Sequence, residues 1–217
     1  STVVVSTEDD VVEAAAAASF TASLAAGKPV DAPVRPTLAD GLAVGRVGER
    51  AFALAAPRVD RVLAVDEQLL SLAVLRLLEL EKTSCEGAGA AALAAIMGAA
   101  GQDLKGLKVV LLLCCGNIDP TVLHRVIDHG LAVDGRLWRF TATVSDRPGG
   151  MARLTQVIAD AGASVLEINH DRAFSGPEVF STTVEVTVET ADQDHIDALN
   201  KQLHEAGFGV VPATGCH

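Results

Sequence analysis

Tyrosine is absent from this 217-residue chain and aromatic residues make up only 3% of it. That scarcity counts against a β-sandwich, whose strands draw on aromatic and β-branched side chains. Alanine, the strongest helix former, is used heavily instead, so a helix-rich α/β chain is expected. Positive charge is also scarce, with 17 Lys and Arg against 28 Asp and Glu and a formal net charge of −11. Polyphosphate binding rests on Lys and Arg contacts and counterion release, and no basic stripe is present, so a nucleic-acid partner is excluded. No apolar run approaches the about 18 residues that a membrane helix needs, and no basic start, apolar run and cleavage site mark a signal peptide. Neither a membrane partner nor a compartment other than the cytoplasm is expected. The cysteines Cys85, Cys114, Cys115 and Cys216 lack C-x-x-C spacing and read as reduced thiols. The histidines, of which His124 and His129 are five apart and the others scattered, lack the short fixed intervals of zinc ligands.

A chain of this length holds one or two domains, and either half is long enough to bury a core. Residues 109–113 form an unbroken apolar run between Lys108 and Gly116, which predicts a strand buried on both faces as in a parallel sheet. Residues 66–82 place Leu69, Leu70, Leu72, Ala73, Leu77, Leu78 and Leu80 among charged neighbours, the spacing of an amphipathic helix. Its acidic start and basic end suit the helix dipole. Residues 87–100 carry no charge, predicting a helix apolar on all sides and therefore buried in a body larger than residues 1–130 supply alone. Residues 30–48, with Pro33, Pro36, Gly41, Gly45 and Gly48, read as a connecting segment of turns. The glycine spacing there is not a dinucleotide fingerprint, because the strand-turn-helix context is missing.

Near Asp134 and Gly135 the pattern changes, which puts a domain boundary at 133/134. Beyond it the periods predict strands over 137–144, 164–172, 179–190 and 208–212, with helices over 149–161 and 192–206. Asp192 is a suitable N-cap, and Gly162 and Gly207 stand where helices should end. A βαββαβ unit of this kind is a ferredoxin-like sandwich with both helices on one face of an antiparallel sheet. Two stretches, 111–119 and 146–154, each read as strand, glycine turn and helix. Such a junction gathers backbone N–H groups at a helix start and suits a small anionic or zwitterionic ligand.

The run D-R-P-G-G-M-A-R-L at 146–154, with Leu137-Trp138-Arg139-Phe140 before it and residues 162–172 after it, resembles the ACT domain, a small amino-acid-binding module. The resemblance covers about residues 137–212. It implies an amino-acid effector beside Asp146, Gly149, Gly150 and Met151, with Asn169 reaching across from a neighbouring copy. The residues themselves agree, since helix-start N–H groups suit a carboxylate, and Asp146 or Asn169 can hold an ammonium. A purely local Pro-Gly turn before a helix accounts for Pro148 and the glycines equally well.

The first half resembles the later part of the catalytic domain of threonine and serine dehydratases, pyridoxal-phosphate enzymes of the tryptophan-synthase-β fold type. Residues 17–28, 36–44, 81–91 and 113–119 carry this resemblance in order. The fold class expected is therefore α/β, a partial tryptophan-synthase-β-like domain over 1–133 followed by a ferredoxin-like ACT domain over 134–217. The resemblance implies that Cys114 faces the pyridine nitrogen of the cofactor, with Gly116, Asn117 and Glu86 nearby. A neutral partner there tempers the electron sink and favours β-elimination. Cys115 departs from the family pattern, which has glycine at that position. Cys114 read by itself is equally a buried thiol, and Glu86 a carboxylate favouring a helix start. Glu13, the carbonyl of Ala17 and Ser19 match positions of a structural cation in such enzymes, in the form suited to a monovalent ion. Oxygen ligands fit hard ions, and a solvated Glu13 fits the acidic stretch as well.

The resemblance implies conversion of L-threonine to 2-oxobutanoate and ammonia, with an end product such as isoleucine or valine sensed by the ACT domain. The partners expected are the amino-acid substrate, the amino-acid effector, and either further copies of the chain or a missing N-terminal half. The family's Schiff-base lysine and glycine-rich phosphate cradle precede the matched part, and Lys28, Lys82, Lys105, Lys108 and Lys201 do not resemble that lysine. The chain is thus expected to hold no catalytic residue of its own and to be inactive alone. The alternative is a non-catalytic amino-acid-binding regulatory protein carrying a degenerate dehydratase remnant.

Overall fold

The computed structural model describes residues 10–101, 104–106, 108–109, 111, 113, 118–170 and 181–213. The chain divides into two compact units, Ser1–Gly130 and Leu131–His217, shortly before the expected 133/134 junction.

In the first unit β1 (Asp10–Ala14) and β2 (Arg61–Val65) pair in parallel, in register from Asp10 opposite Arg61 to Ala14 opposite Val65. An Arg61–Asp10 ion pair at 2.7 Å closes one end of the ladder. Helices α1 (Ser19–Ala26) and α2 (Glu49–Ala55) lie between these strands in sequence. They are followed by α3 (Glu67–Glu81), α4 (Gly87–Met97) and α5 (Pro120–Val133). Asp66 caps α3 by accepting from the Leu69 amide at 2.8 Å, and the helix ends on Lys82 in the left-handed region at φ 54°. Its apolar stripe, Leu70, Ala73, Val74 and Leu77, packs with Ala90, Ala91, Ala94 and Ala95 of α4. The turn-rich segment 30–48 contains a single-residue bridge between Asp31 and Arg46 and a 3-10 turn at Asp40–Leu42.

Two expectations are corrected here. Helix α4 stops at Met97, before Gly98, rather than reaching residue 100; seven of its eleven residues are buried within the first unit, and Ala88, Leu93, Ile96 and Met97 are half-buried there. The run 109–113 was expected as a strand buried on both faces; its residues 110 and 112 lie outside the described residues, and the others are not fully buried. Of its described residues, Val109 is 37% exposed and Leu111 and Leu113 are half-buried.

The second unit follows its sequence closely. Strands β3 (Leu137–Ser145), β4 (Ser164–His170), β5 (Ser181–Glu189) and β6 (Gly209–Pro212) form an antiparallel sheet in the order β4-β5-β3-β6. Helices α6 (Gly150–Asp160) and α7 (Gln193–Glu205) complete the ferredoxin-like βαββαβ unit. Residues 171–172 and 179–180, at the ends of two expected strands, lie outside the described residues. Alternation along β3 and β5 sends Trp138, Phe140, Ala142, Val144, Val184, Val186 and Val188 inward. They meet Leu154 and Ile158 of α6 and Ile196, Leu199 and Leu203 of α7. Gly162 and Gly207 take φ of 83° and 87° just beyond the two helices, a conformation in which a side chain is strained.

Asp192 caps α7 by accepting from the His195 amide at 2.9 Å. The His195 ring ties the start of α7 to the end of α6: Ala191 N–H donates to Nδ1 at 3.1 Å, and Nε2 lies 2.8 Å from the Ala161 carbonyl oxygen. Asp192→Ala is expected to cost about 1 kcal/mol. A unit of this size should then melt about 4–8 °C lower. Trp138, the sole tryptophan in a chain without tyrosine, reports that transition by its fluorescence, and an unchanged midpoint would show the cap to be idle.

Candidate functional site

Two cavities collect the polar residues singled out above, one in each unit. The first is an open cleft of about 650 Å³ whose wall includes Thr37, Leu38, Asp40, Glu67, Glu86, Asp119, Arg125 and His129. Glu67, in the first turn of α3, accepts from the Leu38 amide at 2.7 Å and from the Thr37 hydroxyl. Its carboxylate thereby holds the 37–41 segment against the helix. From the other side, Gly87 packs so closely that a Cβ there would lie 2.4 Å from the Leu38 carbonyl oxygen. This contact brings the Asp40-Gly41 turn beside Glu86, whose Oε1 would be 3.8 Å from a Cβ on Gly41. Glu86 stands at the N-cap of α4 and makes no side-chain capping bond, and it lines the cleft. Cys114, Gly116 and Asn117 lie outside the described residues.

Asp119 caps α5, accepting from the Thr121 hydroxyl and amide and from the Val122 amide. The Thr121 hydroxyl first, then these amides, hold its carboxyl below the ordinary value of 3.8, and the Arg125 charge adds to the effect. A carboxylate lowered by folding stabilises the fold above its unfolded pKa, and that contribution is lost as pH falls through the lowered folded value. Protection of the Thr121 and Val122 amides, taken as the exchange rate relative to the intrinsic rate at the same pH, should therefore fall as the solution is acidified below about pH 4. An Asp119→Ala variant should lack that acid-induced loss of protection, and the same loss in both proteins would remove Asp119 as its cause.

The cleft is large enough for a cofactor-sized molecule. Asp40, Glu67, Glu86 and Asp119 outnumber Arg125 and His129 on its wall, however, and like charge disfavours a phosphate beside the carboxylates. The described residues thus suit the ring of pyridoxal phosphate rather than its phosphate group. Glu13 is buried at the end of β1, where its carboxylate accepts from the Phe20 amide at 3.1 Å, the Thr21 amide at 3.2 Å and the Thr21 hydroxyl. The carboxylate completes the start of α1, which begins at the buried Ser19, while Ala17 lies in the preceding 3-10 turn. Among the described residues no three His, Cys, Asp or Glu gather to hold a metal ion.

The second cavity, about 250 Å³, sits where β3 runs into α6 and is lined by Val144, Ser145, Asp146, Arg147, Pro148, Gly149, Met151, His170 and Thr182. Gly149 takes φ of 97°, and the Gly150 amide donates to the Arg147 carbonyl at 3.1 Å, which makes the turn tight. A Cβ on Gly150 would lie 2.1 Å from the Ser145 carbonyl oxygen, so this helix start presses directly on the strand. No side chain caps α6. Asp146, Gly149 and Met151 thus line the cavity, and Gly150 packs behind it. Within its own copy Asn169 does not line the cavity, its Nδ2 donating to Glu167 Oε1 at 3.1 Å, and its expected reach into a neighbouring copy is a separate matter. His170 of the same strand does line it.

Comparison with known proteins falls along the same division. Residues 10–116 match the family described as pyridoxal-phosphate dependent enzyme, and residues 140–208 match the ACT domain. The chain is 36% identical over 192 residues to an L-threonine ammonia-lyase of Thermotoga maritima, covering 88% of this chain and 47% of that protein. It is 40% identical over 197 residues to an L-threonine ammonia-lyase of Geobacter sulfurreducens, covering 91% of this chain and 49% of that protein. The processed form of threonine deaminase isoform 2 from Solanum lycopersicum superposes with a TM-score of 0.53 at 31% identity, over 57% of this chain and 36% of that one. The chain spans about half the length of the curated relatives it matches. Among the described residues no helix is long and apolar enough to cross a membrane.

Proposed function

The chain joins part of a pyridoxal-phosphate-dependent enzyme domain to an ACT domain, and we propose that it forms the later catalytic part and the regulatory part of a threonine ammonia-lyase. The observation that carries this reading is one continuous match through both units, in the same order, to proteins of that name. The reaction is the conversion of L-threonine to 2-oxobutanoate and ammonia, in the cytoplasm.

Bound pyridoxal phosphate supplies an electron sink for charge developing at the α-carbon of the amino acid. Cys114, Gly116 and Asn117, carried over from the resemblance alone, would hold the cofactor ring, and a neutral thiol at the ring nitrogen would temper that electron sink. Glu86, which would stand beside the ring, lines the cleft and is held there by the packing of Gly87 on Leu38 and by the grip of Glu67 on Thr37 and Leu38. A monovalent cation beside Glu13, the Ala17 carbonyl and Ser19 would share the Glu13 carboxylate with three hydrogen bonds from α1. In the second unit Asp146 pairs with the ammonium of an amino-acid effector, and the open start of α6 faces its carboxylate. Effector and substrate affinities are then linked reciprocally through contacts between copies of the enzyme.

The chain supplies no lysine for covalent attachment of the cofactor and is inactive alone. Purified by itself with pyridoxal phosphate and L-threonine, it should form no 2-oxobutanoate and retain no cofactor absorbance after gel filtration. Joined to the lysine-bearing part of a relative such as the Geobacter sulfurreducens enzyme, it should form 2-oxobutanoate. Amino-acid binding with no activity in either form would favour a purely regulatory protein.

A further inference from the structure

The pairing of β4 with β5 contains one irregularity that bears on the second cavity. Val165 stands opposite Val188, but the next pair is Glu167 with Thr187, so Leu166 is an extra residue in the strand. A bulge of this kind reverses the alternation that follows it. Without it, Asn169 would share a face with Val165 and point toward the helices. With it, Ile168 and His170 lie opposite Val186 and Val184, both fully buried on the helix side, and Asn169 lies opposite Glu185 on the other face. The hydrogen bond of Asn169 to Glu167 is made on that outer face.

His170 is thereby placed at the end of the sheet nearest the start of α6, diagonal to Thr182 on the neighbouring strand. Thr182 is 3% exposed and, with Val144 opposite it, forms the floor of the cavity. The 145–149 turn and Met151 provide the remaining wall. A volume of about 250 Å³ lies below the range of drug-sized ligand pockets and suits a single small amino acid better than a dipeptide or nucleotide.

From this geometry we infer that His170 is the β4 side chain that contacts an amino acid bound in this cavity, and that the bulge at Leu166 is what presents it. The inference rests on the effector-binding reading above and changes the residue that carries it. A neutral imidazole offers one N–H donor and one nitrogen acceptor. It therefore hydrogen-bonds a charged end of the zwitterion in the cavity that Asp146 also lines, a contact that Asn169 of the same copy, on the other face of the sheet, does not make.

The test is calorimetric titration of the full chain with L-isoleucine and L-valine, then with the remaining protein amino acids. The proteins compared are the unsubstituted chain, His170→Ala, His170→Gln and Asn169→Ala. Loss of one hydrogen bond to a charged group predicts about 10- to 100-fold weaker binding for His170→Ala. His170→Gln should recover part of it, and Asn169→Ala should bind as tightly as the original chain. Trp138 fluorescence melts of the ligand-free proteins separate lost contact from lost fold. If His170→Ala does not fold, the His170 ring resonances of the unsubstituted chain decide the matter, because they must shift on ligand addition. Binding that survives His170→Ala but fails in Asn169→Ala overturns the assignment of His170 and leaves the effector site standing. Absence of binding by the unsubstituted chain overturns the effector site and this inference with it.

Discussion

Gly150→Ala should abolish amino-acid binding in the second unit and cost that unit about 3 kcal/mol. The added Cβ would stand 2.1 Å from the Ser145 carbonyl oxygen and 3.1 Å from its carbon. Both atoms belong to the last residue of β3, a strand paired with β5 along its whole length, so the carbonyl is not free to swing aside. The strain falls on α6, which must lift from the sheet and loosen Leu154 and Ile158 in the core. For a unit of this size the expected fall in melting temperature is about 15 °C, read from Trp138 fluorescence. Gly149→Ala is the informative contrast. Nothing lies within 4 Å of a Cβ there, and the cost comes from its φ of 97° alone, about 1 kcal/mol. Equal losses for the two variants would show that backbone conformation, and not the close approach of helix to strand, limits this turn.

The second large effect is expected for Gly87→Ala in the first unit. Its Cβ would meet the Leu38 carbonyl oxygen at 2.4 Å, the carbonyl carbon at 2.6 Å and Leu38 Cγ at 2.8 Å. Leu38 cannot withdraw without cost, because its amide donates to Glu67 at 2.7 Å and Thr37 donates to the same carboxylate. Either α4 moves out of a core in which it is mostly buried, or a hydrogen bond to a charged group is broken. Both routes cost about 3 kcal/mol. Hydrogen exchange followed by mass spectrometry should show residues 36–41 and 87–97 exchanging faster together. Gly41→Ala should be milder, since its Cβ would meet only the Ala88 methyl at 3.2 Å and Glu86 Oε1 at 3.8 Å. If Gly87→Ala exchanged like the original chain, the contact between 37–41 and α4 would not hold Glu86 in place.

The two units differ in how much of them can be read from residue order. In the second, alternation along 137–144 and 179–190 and the helical period of 149–161 and 192–206 are local signals, and the caps at Asp192, Gly162 and Gly207 agree with them. Short-range periodicity therefore sufficed for every element and for the face each one buries. The exception is β4, because a single inserted residue carries no mark in composition and yet turns every following side chain over. Asn169 and His170 exchange places for that reason alone, although the motif 146–154 already marks the wall they approach.

In the first unit the helices 66–82 and 87–100 were legible from charge placement and alanine content, and the pyridoxal-phosphate resemblance from ordered motifs. The exposure of Val109 was not, because an apolar run states what a segment can bury and not what is beside it. Glu13 and Glu67 make the same point for polar residues. Each is an acidic residue in an ordinary local context, and only the folded chain brings Phe20 and Thr21 to one carboxylate and Thr37 and Leu38 to the other. The sequence by itself determined the ferredoxin-like unit and its glycine turn, since these depend on neighbours within a few positions. The tertiary structure decided which strand residue faces the cavity, where Glu86 stands and what holds it there, since hydrogen bonds and close approaches between distant segments have no period along the chain.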